Sequence, residues 1–209
     1  MKCHFLLLLI FFSVFGFSQK LKIDIKGIEK DLSNSRSPYY YERLIFKYKA
    51  FPKSLDSIES RYLYYGRNFR TDKISTSDER FKNLADAFKQ NNFANCITQG
   101  KILYQKDPTN LDILLILLRA YEDQKDGNNL IYHLSQFRAL TNGIKSSGNG
   151  LSEKTAYQVN SVGDEYILLN ILNIGEEYTR SSKDSKKGML DIWEKEDKKI
   201  YIKILYPDL

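Results

Sequence analysis

Two cysteines and two histidines are all that this 209-residue chain contains. Cys3 and His4 lie at the extreme start, ahead of an apolar run from Phe5 to Phe17. If that start is removed, Cys96 and His133 are alone of their kinds. A single cysteine makes no intramolecular disulfide, so the fold must rest on its core. Cysteine-based metal sites are excluded, and a Ser-His-Asp triad or a multi-histidine zinc site has one histidine to draw on. Carboxylate chemistry and oxygen-ligand metals survive this test. No catalytic residue, metal site or cofactor is readable.

Charge of one sign is also lacking. Lys and Arg total 32 against 26 Asp and Glu, a net +6, and the two signs are interleaved. Such a surface favours solubility over polyanion binding, so nucleic acid is not an expected partner. The mixed-sign runs 183–187 and 195–199 read as solvated turns.

The third scarcity is of long apolar runs. The stretch from Phe5 to Phe17 falls short of the ~20 residues a membrane span requires. Preceded by Lys2 and followed by small residues, it matches a cleavable export signal over 1–18, with cleavage between Ser18 and Gln19. Gly16 and Ser18 are the small residues at the −3 and −1 positions. A buried N-terminal helix is the competing reading. Cys3 precedes the apolar run and so cannot carry a lipid anchor. The expectation is an exported chain, periplasmic or secreted, with no transmembrane segment after cleavage.

The remaining residues suit a single domain. Residues 19–36 read as a linker. Ser37-Pro38 suggests a helix start, with Tyr41, Leu44, Ile45 and Tyr48 on one stripe and Phe51-Pro52 as the end. A second helix is expected from Leu55 to Tyr65, stopped by Gly66. The polar stretch Arg67 to Ser77 reads as a loop.

The middle is helical and repetitive. Leu84, Ala87 and Phe88 share a face, Asn91-Asn92 is a turn, and Phe93, Cys96, Gly100 and Leu103 continue at helical spacing up to Asp107-Pro108. The pattern returns with Leu117, Ala120 and Tyr121, a turn at Asp126-Gly127-Asn128, and Leu130, Leu134 and Phe137. Two helices recurring at ~34 residues are the signature of tetratricopeptide-like arrays. The segment from about Arg80 to Asn142 resembles that family. It departs from it at Cys96, where alanine is usual, at Gly100, where an aromatic is usual, and in a first turn that looks one residue short. The aromatics read as core, Cys96 as a small buried hydrophobe and His133 as a packed histidine. The whole helical region is placed at 37–142.

From 143 to 209 the character changes to a C-terminal α+β region packed on the helices. Gly143 to Gly150 reads as a loop. Thr155 to Val162 alternates as a half-buried strand. Asp164 and Glu165 open an apolar segment, where Asp164 suits a helix cap. Ser181 to Lys187 reads as a flexible connection. Ile192-Trp193 and the alternating Ile200, Ile202 and Ile204 form a hairpin around Glu196-Asp197-Lys198. The expected fold class is therefore α+β and mainly helical: tetratricopeptide-like hairpins capped by a small antiparallel sheet.

Three blocks carry a further likeness: Leu63-Tyr64-Tyr65-Gly66, then Ser147-Gly148-Asn149-Gly150 with Thr155-Ala156, then Asp164-Glu165-Tyr166. In order and spacing they resemble an uncharacterised family of exported bacterial proteins, the domain of unknown function 4919. The resemblance implies a helical fold with an α/β cap and transfers no catalytic residue. Its blocks supply the candidate ligand-binding residues: Tyr64, Tyr65, Ser147, Gly148, Asn149, Gly150, Glu165 and Tyr166.

Two function classes follow. The first is a non-enzymatic binding or scaffold module, with an envelope protein or peptide as partner, because helical hairpins present grooves for peptides and helices. The second is an envelope hydrolase using Glu165 with a second carboxylate that the sequence does not name. Adjacent Asp164 and Glu165 are no acid–base pair by themselves, since neighbours on a helix point ~100° apart.

Overall fold

The computed structural model describes residues 24–185 and 188–206. The expected signal segment 1–18 and its cleavage site lie outside the described residues. Eight α-helices and four strands follow: α1 Ile25–Ser33, α2 Tyr41–Ala50, α3 Ser57–Gly66, α4 Glu79–Lys89, α5 Phe93–Lys106, α6 Leu111–Asp123, α7 Gly127–Lys145, β1 Tyr157–Val159, α8 Val162–Ile171, β2 Thr179–Ser185, β3 Gly188–Lys195 and β4 Lys198–Leu205. No described helix is long and apolar enough to cross a membrane.

The helix starts are written in side chains. Asp56 and Glu59 form a reciprocal capping box on α3, the Asp56 carboxylate accepting from the Ile58 and Glu59 amides at 2.8 Å each. Asp78, Asn92, Asn110, Asp126 and Ser161 cap α4, α5, α6, α7 and α8 in the same role. Ser37 does not begin α2. It organises the turn before it, accepting from the Tyr39 amide, and α2 starts at Tyr41. The expected linker also contains structure, since α1 turns Ile28 and Leu32 into the core.

Two helical hairpins, α4–α5 and α6–α7, carry the middle of the chain. Their turns have one form. Asn91 (φ 54°) and Lys125 (φ 56°) occupy the left-handed region at matching places, each followed by the capping residue of the next helix. The first turn is therefore not short.

Glycines set the crossings. A Cβ at Gly100 would stand 2.7 Å from Leu117 Cδ2, so α5 and α6 approach closely there. Helix α3 ends at Gly66 as expected, but the glycine keeps a right-handed φ of −61° and leaves room for Leu32 of α1. Gly143 is likewise no loop residue. It lies inside α7, where a Cβ would meet the Ser60 carbonyl oxygen of α3 at 2.7 Å. Cys96 is fully buried, and burial pushes its thiol pKa up. His133 is buried too, stacked 5.4 Å from Tyr121, with Nδ1 3.0 Å from Gln136 Oε1.

The sheet has the order β1-β4-β3-β2. It is mixed, not antiparallel: β1 runs parallel to β4, with Tyr157 beside Ile202 and Val159 beside Ile204, while β3 is antiparallel to both its neighbours. The reason is connectivity. The chain leaves β1 through α8 and returns beyond it, as parallel strands require. The strand expected over 155–162 is regular only at Tyr157–Val159. The stretch expected as a flexible connection is largely β2, whose polar residues are held by backbone pairing with β3. Val159, Ile202, Ile204 and Trp193 join Ile167, Leu168 and Leu169 of α8 in the core that continues into the helices.

Candidate functional site

The first turn of α8 is the meeting point of three arrangements. It starts at Ser161, whose hydroxyl accepts from the Asp164 amide at 3.0 Å. Ser161 is therefore the cap, and Asp164 is free to point elsewhere. Its Oδ2 accepts from the Tyr64 hydroxyl at 2.6 Å, across 100 residues of sequence. The same hydroxyl accepts from the Asn160 amide, and the Asn160 side chain donates to the Tyr64 carbonyl at 2.8 Å. Asp164 is buried, and burial raises its pKa to about 6 despite the Tyr64 bond.

Asp164 lines a cavity of about 330 Å³ with Asp112, Asn110, Asn68, Asn160 and Arg67. Two helix N-termini, those of α6 and α8, border it. Its rim is rigid because Asp107 gathers four donors. Its carboxylate accepts from Arg67 Nε at 2.9 Å and Nη2 at 2.7 Å, from the Ile74 amide at 2.9 Å and from Asn110 Nδ2 at 3.3 Å. Ile74 is buried as a result, inside a stretch whose sequence reads as a polar loop. Burial raises the pKa of Asp112, with Arg67 opposing.

Across α8 lies a groove of about 570 Å³, lined mainly by Leu115, Phe137, Tyr166, Ile167 and Ile171. Asp112 borders this groove as well as the cavity. Gly163 makes the junction possible, since a Cβ there would stand 3.2 Å from Asp112 Oδ1. Polar cavity and apolar groove are thus contiguous.

Glu165 turns to the sheet instead and is fully buried. Its Oε1 accepts from Trp193 Nε1 at 2.7 Å, and its Oε2 stands 3.6 Å from Arg180 Nη2. Arg180 also binds Asp191 Oδ2 through Nε at 3.0 Å and through Nη2. Arg180 and Trp193 are register partners, and Asp191 is two residues from Trp193, so all three share the sheet face beneath α8. Burial first, then the Asp191 charge, raises the Glu165 pKa, while Trp193 and Arg180 act the other way.

The remaining candidates have structural tasks. Tyr65 donates to the Gln158 carbonyl at 2.9 Å and Ser147 accepts from the Gln158 amide at 2.8 Å, so both fasten β1. Gly148 lies against the carbonyl oxygens of Thr155 and Ala156. The Asn149 and Gly150 amides both donate to the Thr155 carbonyl at 2.9 Å, and the Gly150 carbonyl accepts from the Tyr201 amide. The glycine-rich loop is therefore a strap over the start of the sheet. Tyr166 is half exposed at the groove, edge-on to Trp193 at 6.0 Å.

Of the sequence-named residues, the structure brings Tyr64 behind the cavity, against Asp164, and Tyr166 to the groove. It places Tyr65, Ser147, Gly148, Asn149 and Gly150 at β1, and Glu165 under α8. Sequence reasoning missed Asp112, Arg67, Asn68 and Asn160 around the cavity, and Arg180, Asp191 and Trp193 around Glu165. One signal was available: Asp191 interrupts the apolar run Met189-Leu190-Asp191-Ile192-Trp193 of a strand with an inward face.

The model of one family, domain of unknown function DUF4919, matches residues 26–209. The chain belongs to the DUF4919 family. Neither the curated proteins nor the solved structures provide a match to this DUF4919 chain. All three motif blocks fall within the matched residues, and each is now attached to a physical role: Tyr64 with Asp164, the strap over β1, and Glu165 against the sheet.

Proposed function

We propose that this DUF4919 chain is a non-enzymatic binding module of the cell envelope, exported by its N-terminal segment, that grips a peptide or partner segment. The segment it fits carries a basic group beside apolar side chains. One observation carries this reading: the polar cavity and the apolar groove meet at Asp112. Burial disfavours the Asp112 and Asp164 carboxylates, and an incoming ammonium or guanidinium offsets that cost. The groove beside them takes the apolar neighbours, and Leu115 and Tyr166, 45 % and 50 % exposed, offer the contact area. The chain's net +6 charge gives no long-range attraction to a cation, so recognition rests on contact. Paired helical hairpins are a common platform for such grooves, which supports a repeat-like scaffold role.

Hydrolysis at Glu165 has less support. Its second carboxylate would be Asp191, and both are fully buried beneath α8, where no substrate atom reaches them.

The test is fluorescence polarisation with residues 19–209 and a panel of labelled peptides. Peptides pairing Lys or Arg with Leu or Phe should bind, and their Glu-substituted versions should not. Asp112→Asn and Leu115→Asp should each weaken binding about tenfold or more, the ~1.4 kcal/mol scale of a lost buried contact. Mass spectrometry of the recovered peptide should show it intact. Failure of every basic–apolar peptide to bind, or release of cleavage products, would overturn the reading.

A further inference from the structure

Two carboxylate oxygens in this fold are buried and lack any hydrogen-bond donor: Glu165 Oε2 and Asp191 Oδ1. They belong to neighbouring groups, since both carboxyls face the same Arg180 Nη2, Glu165 Oε2 at 3.6 Å and Asp191 Oδ2 in direct contact. Every other oxygen of the pair is engaged, Glu165 Oε1 by Trp193 and Asp191 Oδ2 by Arg180. Two ionised carboxylates cannot share such a site, because like charges at contact in a dry interior repel strongly. One Arg180 charge balances one carboxylate and leaves the second uncompensated. A proton placed between the two unmatched oxygens satisfies both at once.

We propose that Glu165 and Asp191 bind a single shared proton, and that this proton is the clamp holding the first turn of α8 on the sheet. The groups around it allow no other neutralisation. From β3 comes Asp191 and from β2 comes Arg180, whose guanidinium faces both carboxylates. From α8 itself come Asp164, which faces the opposite cavity, and Tyr166. From α6 comes Asp112, beyond Gly163. From β1, Tyr157 shares the sheet face, and β4 presents apolar Ile200 and Ile202. Arg180 is 28 % exposed and gives the buried site its contact with solvent. The raised Glu165 pKa agrees with this geometry. Loss of the proton leaves two carboxylates against one arginine and loosens α8, the helix that carries Asp164 into the cavity and Tyr166 and Ile167 into the groove. The clamp itself is independent of any ligand.

Trp193 is the sole tryptophan of the chain and donates directly to Glu165, so intrinsic fluorescence reads the clamp. The full chain without its first 18 residues is titrated between pH 4 and 9. The expected result is one Trp193 emission transition with a midpoint above the ordinary carboxylate range. It should vanish in Glu165→Gln and move to lower pH in Asp191→Asn, where no second negative charge opposes ionisation. Asp191→Asn keeps the test decisive if Glu165→Gln fails to fold. A transition within the ordinary carboxylate range, or one unmoved in Asp191→Asn, would overturn the proposal. Peptide binding is not part of this readout, so the clamp can fail while the binding reading stands, and the reverse.

Discussion

Replacing Ile202 by aspartate tests the architecture at its most interior strand. Ile202 is fully buried on β4, between Tyr157 of β1 and Asp191 of β3, under α8. Removing a buried isoleucine side chain costs about 2–5 kcal/mol. The new carboxyl enters an apolar position of the core, which adds about 1–3 kcal/mol as a buried polar group. It also lies directly opposite Asp191, whose Oδ1 already lacks a donor. The total, roughly 3–8 kcal/mol, is comparable to the ~5–15 kcal/mol that holds a domain of this size together. Ile202→Val is the control, at about 0.5–1.5 kcal/mol. Urea unfolding is followed by far-ultraviolet circular dichroism, which reads the helices, and by Trp193 emission, which reads the sheet. Both signals should shift together to a much lower midpoint, and the deficit should be smaller in acid, where the new carboxyl enters the core protonated. An Ile202→Asp protein as stable as Ile202→Val would refute the reasoning, and the sheet would be a peripheral tail. Loss of the Trp193 signal long before the helical one would refute the single continuous core.

Gly148→Ala should destabilise by about 1–3 kcal/mol in thermal melts, because its Cβ would press on the backbone carbonyls of Thr155 and Ala156 and no flexible side chain can yield. Gly127→Ala, at the open start of α7 with nothing within 4 Å of the added Cβ, should instead stabilise by about 0.5 kcal/mol. Asp164 gives a pH prediction. Its pKa rises from 3.8 to about 6 on folding, so the folded state holds its proton more tightly, and the stability present below pH 3.8 is lost as pH rises towards 6. That loss approaches about 3 kcal/mol, and Asp164→Asn should flatten this part of the stability profile measured by urea titration. Glu165 contributes the same sign, so the comparison is between variant and parent at each pH.

Legibility followed the source of each element's stability. Helices α5, α6 and α7 and strand β4 owe theirs to apolar side chains at helical or alternating spacing, and such patterns are visible in Phe93-Cys96-Gly100-Leu103 and in Ile200, Ile202 and Ile204. Strand β2 owes its place to a backbone ladder with β3, and its residues Thr179 to Ser185 carry no apolar alternation to read. Gly66 and Gly143 show a second limit. A glycine next to a helix pattern signals an ending by local rules, which holds for Gly66 and fails for Gly143, and both glycines also make room for a helix distant in sequence, α1 and α3. The parallel pairing of β1 with β4 is set by the crossover through α8, which periodicity does not encode. The candidate site shares that limit. Tyr64 and Asp164 stood out as motif residues, but their bond depends on packing α3 against the start of α8. Asp112 reads as an ordinary acid in the first turn of a helix until Gly163 is found beside it.

The acids of α8 place a bound on what that helix is for. Asp164 and Glu165 are neighbours on a helix, so they point ~100° apart and serve different surroundings. One faces a polar cavity beside α6, the other the sheet. Both are buried, both have raised pKa values, and in each case burial is the largest cause. Apolar residues at these two positions would avoid both costs, as the rest of the helix does with Ile167, Leu168 and Leu169. The favourable helix dipole at the first turn contributes only ~0.3–1 kcal/mol per acid and does not cover the burial of two carboxyls. The first turn of α8 therefore carries two buried acids, one held against the sheet and one turned to the cavity. Under the proposed function, a basic group that neutralises Asp164 and Asp112 from the cavity would stabilise the same turn that the proposed shared proton holds from the sheet. The two proposed sites thus face one helical turn from opposite sides.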